Sequence, residues 1–272
     1  MANKAEQKNQ ARLKREQAQA AAAAAAKRNR NLQIGGGIIG LAVLVVIIGV
    51  IASGGDSSKK NKGLGADKNA AVAGVTETNT LLKGIPQSGY VLGNAKAPIT
   101  ILEFLDVQCP YCKAHELDEQ PTVIKQLVRT GKAALKMEPV GILGQDSEDG
   151  RVVLTRVAAE NKAWNFVNLF YWNQGTERTG YVTDDFLRKI SVAAGAKATD
   201  ISRTPDAAIK AKLAAADKLA STLNVTGTPT FAVGLTKNAE DTYKQVDLSN
   251  AQGGNASAII SAVEALEKSA GV

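Results

Sequence analysis

The alternation of apolar and polar positions divides the chain into stretches of very different kind. Residues 34–52 form an uncharged run dominated by Ile, Leu and Val, broken only by Gly and Ala. At 1.5 Å per residue such a helix spans about 28 Å, the depth of a bilayer core. A second apolar run, residues 99–105, is short and predicts a buried strand. Beyond it Leu117, Val123, Ile124, Leu127 and Val128 recur at helical spacing and predict a helix to about residue 130. Pro121 should kink or split that helix, and Gly131 is placed to end it. A strand over 133–138 completes a βαβ unit. Helices are then predicted over 152–173, 183–194 and 205–223, and strands over 230–234 and 243–246. A last helix over 256–268 carries Ile259, Ile260, Val263 and Leu266 on one stripe. A short strand over 89–93 opens the folded part. The order is that of an α/β domain with a helical insertion at about 140–224.

What surrounds the apolar run decides how it is read. Residues 1–33 hold 8 of the 33 Lys/Arg and 2 of the 26 Asp/Glu, together with an alanine tract. They read as a solvated basic tail, and the positive-inside rule places them in the cytoplasm. The run at 34–52 then reads as a single transmembrane helix with everything after it extracytoplasmic. A cleaved signal peptide ending near residue 52 is the competing reading, but its apolar core would exceed the usual length. Residues 53–88 have the Gly, Ser, Lys, Asn and Asp content of a flexible linker reaching roughly 30–36 Å. Most of the net charge of +7 sits in the tail. The remainder is close to neutral, so no nucleic-acid partner is expected.

The chemistry concentrates in Cys109-Pro-Tyr-Cys112, which joins the 99–105 strand to the following helix and contains both cysteines of the chain. Pro110 suits the first helical turn, where its missing N–H loses no partner. Cys109 would then lie at the positive helix end, where free N–H groups favour thiolate. Such a sulfur is reactive in disulfide exchange, and Cys112 is spaced to release a mixed disulfide. Two other readings stay open: an inert local disulfide, or a zinc site using Cys109, Cys112 and His115. His115 is the only histidine and no second cysteine pair exists, so no metal or other cofactor is expected. Trp164, Phe166, Phe170, Tyr171 and Trp172 read as core rather than as a substrate groove.

From about Gly89 to its end the chain resembles the DsbA-like thioredoxin domain of bacterial thiol–disulfide oxidoreductases, particularly membrane-anchored forms. Glu103-Phe-Leu-Asp-Val-Gln-Cys-Pro-Tyr-Cys112 and Val225-Thr-Gly-Thr-Pro-Thr-Phe231 carry the resemblance, with a helical insertion between them. It implies a thioredoxin fold with Cys109 and Cys112 redox-active and Pro229 in the cis form beside them. The Thr228 backbone would be open to an extended substrate strand. Glu103 would be a buried acid serving Cys112. Pro110 and Tyr111 are placed to tune the thiols; His115, on the same helix side as Cys112, reads either as a third tuning group or, more simply, as a solvated or packed side chain. The chain departs from the best-studied oxidases of the family by carrying Pro-Tyr, not Pro-His, between the cysteines. The resemblance implies an extracytoplasmic disulfide oxidase acting on exported proteins with free thiols and recharged by a quinone-linked membrane oxidase. The same chemistry run as reductase or isomerase, or a tethered peptide-binding module without catalysis, are the alternatives.

Overall fold

In the computed structural model residues 63–197, 201–238, 242–249 and 254–272 are described. The basic tail, the apolar run at 34–52 and the first part of the linker lie outside them. Among the described residues no helix is long and apolar enough to cross a membrane.

The architecture is built on strand β3, Ile99–Leu105, all seven of whose residues are buried. A strand covered on both faces needs apolar side chains at every position, which is why this one reads as a continuous run. Strand β4, Ala133–Pro139, lies parallel on one side, and β5, Thr230–Leu235, lies antiparallel on the other. A two-residue edge strand, β6 (Lys244–Gln245), pairs with β5. On the other flank a hairpin of β1 (Gln87–Ser88) and β2 (Val91–Leu92) completes the order β1-β2-β4-β3-β5-β6. The hairpin replaces the single strand expected over 89–93: Gly89, at φ 57, takes the first turn position, which few other residues tolerate.

The register fixes where chemistry can occur. Leu105 faces Pro139 across the β3–β4 ladder, and Phe104 faces Thr230 across β3–β5. The ends of β3 and β4 and the start of β5 therefore share one edge of the sheet. The loop to Cys109, residues 140–144 and the Thr228–Pro229 turn all emerge there.

Helix α2 follows β3 as one continuous helix of mixed winding. Pro110–Ala114 is α-helical, His115–Glu119 π-helical, Gln120–Val123 α-helical and Ile124–Val128 π-helical. Pro121 sits at the start of the second α-helical piece, where a missing N–H is tolerated, so the helix is rewound rather than broken. Between β4 and β5 come α3 (Gln145–Ala159), α4 (Ala163–Trp172), α5 (Asp184–Ala193) and α6 (Ala207–Thr222). Helix α7, Gly254–Ala270, closes the chain.

Two expectations need correction. The helix expected over 152–173 is split in two, because Asn161 turns left-handed at φ 57. Its carboxamide oxygen then accepts from Gly89 N at 2.9 Å, tying the break to the hairpin. The linker expected over 53–88 is not all linker: from residue 63 the chain lies on the domain, with helix α1 at Val75–Leu82 and Leu64 and Leu82 buried. Alongside these apolar contacts it docks through buried polar ones, which hydropathy does not register. The wholly buried Asn173 accepts through Oδ1 from Leu64 N and Ala73 N at 3.3 and 2.9 Å. Its Nδ2 donates to Ala73 O and Leu169 O at 3.0 and 2.8 Å. Gly74, at φ 79, lies so near the Trp172 ring that a Cβ there would come within 2.1 Å of it. Trp164, Phe166, Phe170 and Tyr171 are fully buried and form the core of the insertion. Arg151 on α3 bonds Asp217 on α6 at 2.7 Å and so fastens the outermost helix.

Candidate active site

Both cysteines are free thiols in this structure. Cys109 is the N-cap of α2, with Pro110 in the first helical position as its ring chemistry favours. Cys112 N donates to the Cys109 sulfur at 3.4 Å, and Cys109 N donates to Asp106 O at 2.9 Å. Cys109 keeps 4% exposure while Cys112 has none, so only Cys109 can meet another molecule. Tyr111, between them, is 75% exposed.

The surroundings pull the two thiols in opposite directions. The Cys112 thiol, hydrogen-bonded to the Cys109 sulfur, is the main reason that the Cys109 pKa falls from 9.0 to about 6. Partial burial opposes this; the Thr228 side chain and the N–H groups of Cys112 and Tyr111 add to it. The Thr228 carbonyl accepts from the Cys109 thiol at 3.2 Å, a contact that favours the protonated form, but the donors outnumber it. Cys112 is pushed well up, first by burial and then by its neighbour Cys109. One sulfur is thus made a good leaving group and the other a thiol that holds its proton.

The Thr228–Pro229 peptide is cis and both residues are half-buried beside Cys109. Glu103 points inward from β3 with no exposure, and burial raises its pKa to about 8. Its Oε2 accepts from Gln120 Nε2 at 2.9 Å. His115 is a packed side chain rather than a cationic neighbour of the thiolate. Burial lowers its pKa to about 4, its ring lies 4.5 Å from that of Phe231, and its Nε2 meets Gln120 Oε1 at 3.1 Å. Among the described residues no three His, Cys, Asp or Glu side chains are grouped so as to hold a metal ion.

Several site residues escaped the sequence reading. Asp106, in the loop after β3, is a fully buried hub: Oδ1 accepts from Gln108 N and Ser147 Oγ at 2.8 and 2.6 Å. Its Oδ2 accepts from Ile142 N and Leu143 N at 2.8 and 3.0 Å, holding the 140–144 loop beside the cysteines. Gln174 Nε2 donates to Val107 O and Cys109 O at 2.9 and 3.2 Å. A second buried acid, Glu116, accepts from Asn168 Nδ2 at 3.1 Å. Its signal was present: Glu116 and Gln120 fall four and eight residues after Cys112, on the stripe that continues as Val123, Ile124 and Leu127.

A family model described as Thioredoxin matches residues 87–248. The chain belongs to the thioredoxin family. Among curated relatives it is similar to the probable disulfide bond formation protein D of Bacillus cereus, 26% identical over 156 residues. That match covers 57% of this chain and 64% of the relative, so the chain spans somewhat under two thirds of that protein's length. Among solved thioredoxin-family structures it superposes on oxidised BdbD from Bacillus subtilis with a TM-score of 0.55 at 21% identity. That comparison covers 67% of this chain and 96% of BdbD. Alpha-DsbA1 from Wolbachia pipientis gives 0.51 at 17% identity, covering 71% and 96%. At these identities the superpositions establish the thioredoxin fold and nothing finer.

Proposed function

We propose that the chain is a thiol–disulfide oxidoreductase working as an oxidase of exported proteins, held at the outer membrane face by residues 34–52. The opposed acidities of Cys109 and Cys112 carry the reading. The names of the curated relatives, disulfide bond formation proteins, agree with it. In the oxidised form a client thiolate attacks the Cys109 sulfur and breaks the Cys109–Cys112 bond. Cys112 leaves as a thiolate and takes up a proton. A second client thiolate then attacks the client sulfur of the mixed disulfide, and Cys109 departs as a thiolate. The client loses two electrons and the cysteine pair gains them. The last departure is fast because the Cys109 thiolate is weakly basic, which drives the exchange toward oxidised client.

Once Cys109 is in a mixed disulfide it has no S–H, so the Thr228 carbonyl is released to accept from a client backbone N–H. Reduced pairs are returned to the disulfide by a membrane oxidase linked to quinone. Equilibration with glutathione buffers tests the direction: an oxidase should show a potential above about −200 mV. A value near the −270 mV or so of thioredoxin would make the chain a reductase. Protease treatment of intact cells should digest residues 89–272 and spare residues 1–33; the converse pattern would place the domain in the cytosol.

A further inference from the structure

The carboxamide of Gln174, half-buried just past α4, reaches back to the cysteine loop. Its Nε2 donates to Val107 O at 2.9 Å and to Cys109 O at 3.2 Å, gripping the backbone before and after the reactive residue. Two carbonyl partners settle which way the amide is turned. Val107 and Cys109 are 1% and 4% exposed, so a lost donor would leave their carbonyls out of reach of water unless the loop turned outward. Cys109 N donates to Asp106 O, and Cys109 O accepts from Lys113 N at 3.1 Å. With Gln174 these bonds hold Cys109 in its extended cap conformation, φ −68 and ψ 121, which lays the sulfur against Cys112 N.

Gln174 is itself backed by the arm that precedes α1. Gly65 N donates to Asn173 O at 2.9 Å, beside the Asn173 bonds to Leu64 and Ala73. The Gly65 and Gly175 backbones cross so closely that a Cβ on either would strike the other, and Gly74 presses on the Trp172 ring in the same way. Both neighbours of Gln174 in the chain are therefore packed against the arm. The ionisable side chains on or against the cysteine loop are Asp106, Tyr111, Cys112, Lys113, Tyr171 and Arg178. From the Thr228–Pro229 turn comes an uncharged carbonyl.

We propose that Gln174 is a positioning residue for Cys109, and that residues 63–74 keep it in place, so that docking of the arm governs how firmly the reactive sulfur is seated at the helix terminus. This rests on the thiol–disulfide reading above for what the seated sulfur does. Docked, the arm fixes the 173–175 turn and the carboxamide with it. Displaced, it frees the turn, and the Cys109 backbone can rotate its sulfur off the N–H groups and thiol that support the thiolate.

Alkylation of the reduced full-length chain between pH 4 and 9 tests this, with variants that leave every ionisable group of the loop in place. Gln174→Met keeps the length of the side chain without its donors. It should raise the Cys109 midpoint from about 6 by about half to one pH unit, part of the worth of a hydrogen bond to a charged group. Gly65→Ala should produce a similar rise in the parent and none when Gln174→Met is already present. Should Gly65→Ala fail to fold, Gly74→Ala carries the same comparison. Arg129→Ala removes bonds to Leu81 O and Lys83 O at the other end of α1 and should leave the midpoint where it is. A parental midpoint in Gln174→Met would overturn the proposal. So would a further rise when the arm and Gln174 variants are combined, or a rise in Arg129→Ala equal to theirs. If the midpoints move as stated but no client thiol is oxidised, the clamp stands and the thiol–disulfide reading fails.

Discussion

Removing the Cys112 sulfur should make Cys109 less acidic, because the Cys112 thiol is the largest single support of the Cys109 thiolate. A hydrogen bond to a charged group contributes about 1.5–3 kcal/mol, so Cys112→Ala should raise the Cys109 midpoint by about one to two pH units from its value near 6. Cys112→Ser keeps an O–H donor at the same place and should stay close to the parent. The assay has to be a full pH profile. At pH 7 the thiolate fraction falls from about nine tenths to about one quarter if the midpoint rises by about 1.5. The more basic thiolate, however, gains roughly four- to sixfold in intrinsic reactivity, which almost cancels the loss. A single rate at pH 7 would therefore look unchanged for the wrong reason. Rates of alkylation of the reduced protein between pH 4 and 9 separate the two effects, and burial of Cys112 leaves Cys109 as the reacting sulfur. A Cys112→Ala midpoint within a few tenths of the parent would refute the reasoning and leave Thr228 and the helix N–H groups as the support. A parent midpoint near that of a free thiol, about 8.5, would remove the basis of the catalytic reading altogether.

Three further outcomes follow from the same geometry. Because the folded pKa of Glu103 is raised from 4.5 to about 8, the folded state binds a proton that the unfolded chain has released. Stability of the oxidised protein should therefore fall as pH rises through that window, by on the order of 4 kcal/mol, and Glu103→Gln should flatten the slope; urea melts at pH 5 and 8 measure it. Asp106→Ala strands four donors around the cysteine loop and should cost about 3 kcal/mol or more in urea stability; a cost under about 1 kcal/mol would show that water replaces the carboxylate. Asn173→Ala should release residues 63–82 to hydrogen exchange and proteolysis while the β3 amides stay protected; simultaneous loss of both would mean that the arm and the sheet unfold together.

The local rules were enough for the elements that chemistry depends on. Strand β3 and the N-cap at Cys109 follow from an apolar run, a proline at the first helical position and a cysteine before it, all of which act over a few residues. The two motifs and their family likeness pointed to Cys109, Cys112, Glu103, Thr228 and Pro229 together. Long-range polar contacts were invisible to the same reading. Composition placed residues 63–88 in a linker, whereas side chains far along the chain dock them: Asn173 holds the backbone at Leu64 and Ala73, and Asn168 holds Thr78. The left-handed turn at Asn161 split a helix whose apolar pattern runs through the break. His115 sits three residues from Cys112, but its ionisation was decided by its burial, which outweighs the opposing effects of Gln120 and Glu119. The second acid shows the division most sharply. Sequence sets Glu116 one helical turn from Cys112, but only the packing of α2 against α4, where Asn168 bonds it, takes it away from water. Spacing along the chain fixes which face a side chain takes. The charge it carries depends on the dielectric and the partners it meets, and those are supplied by tertiary structure.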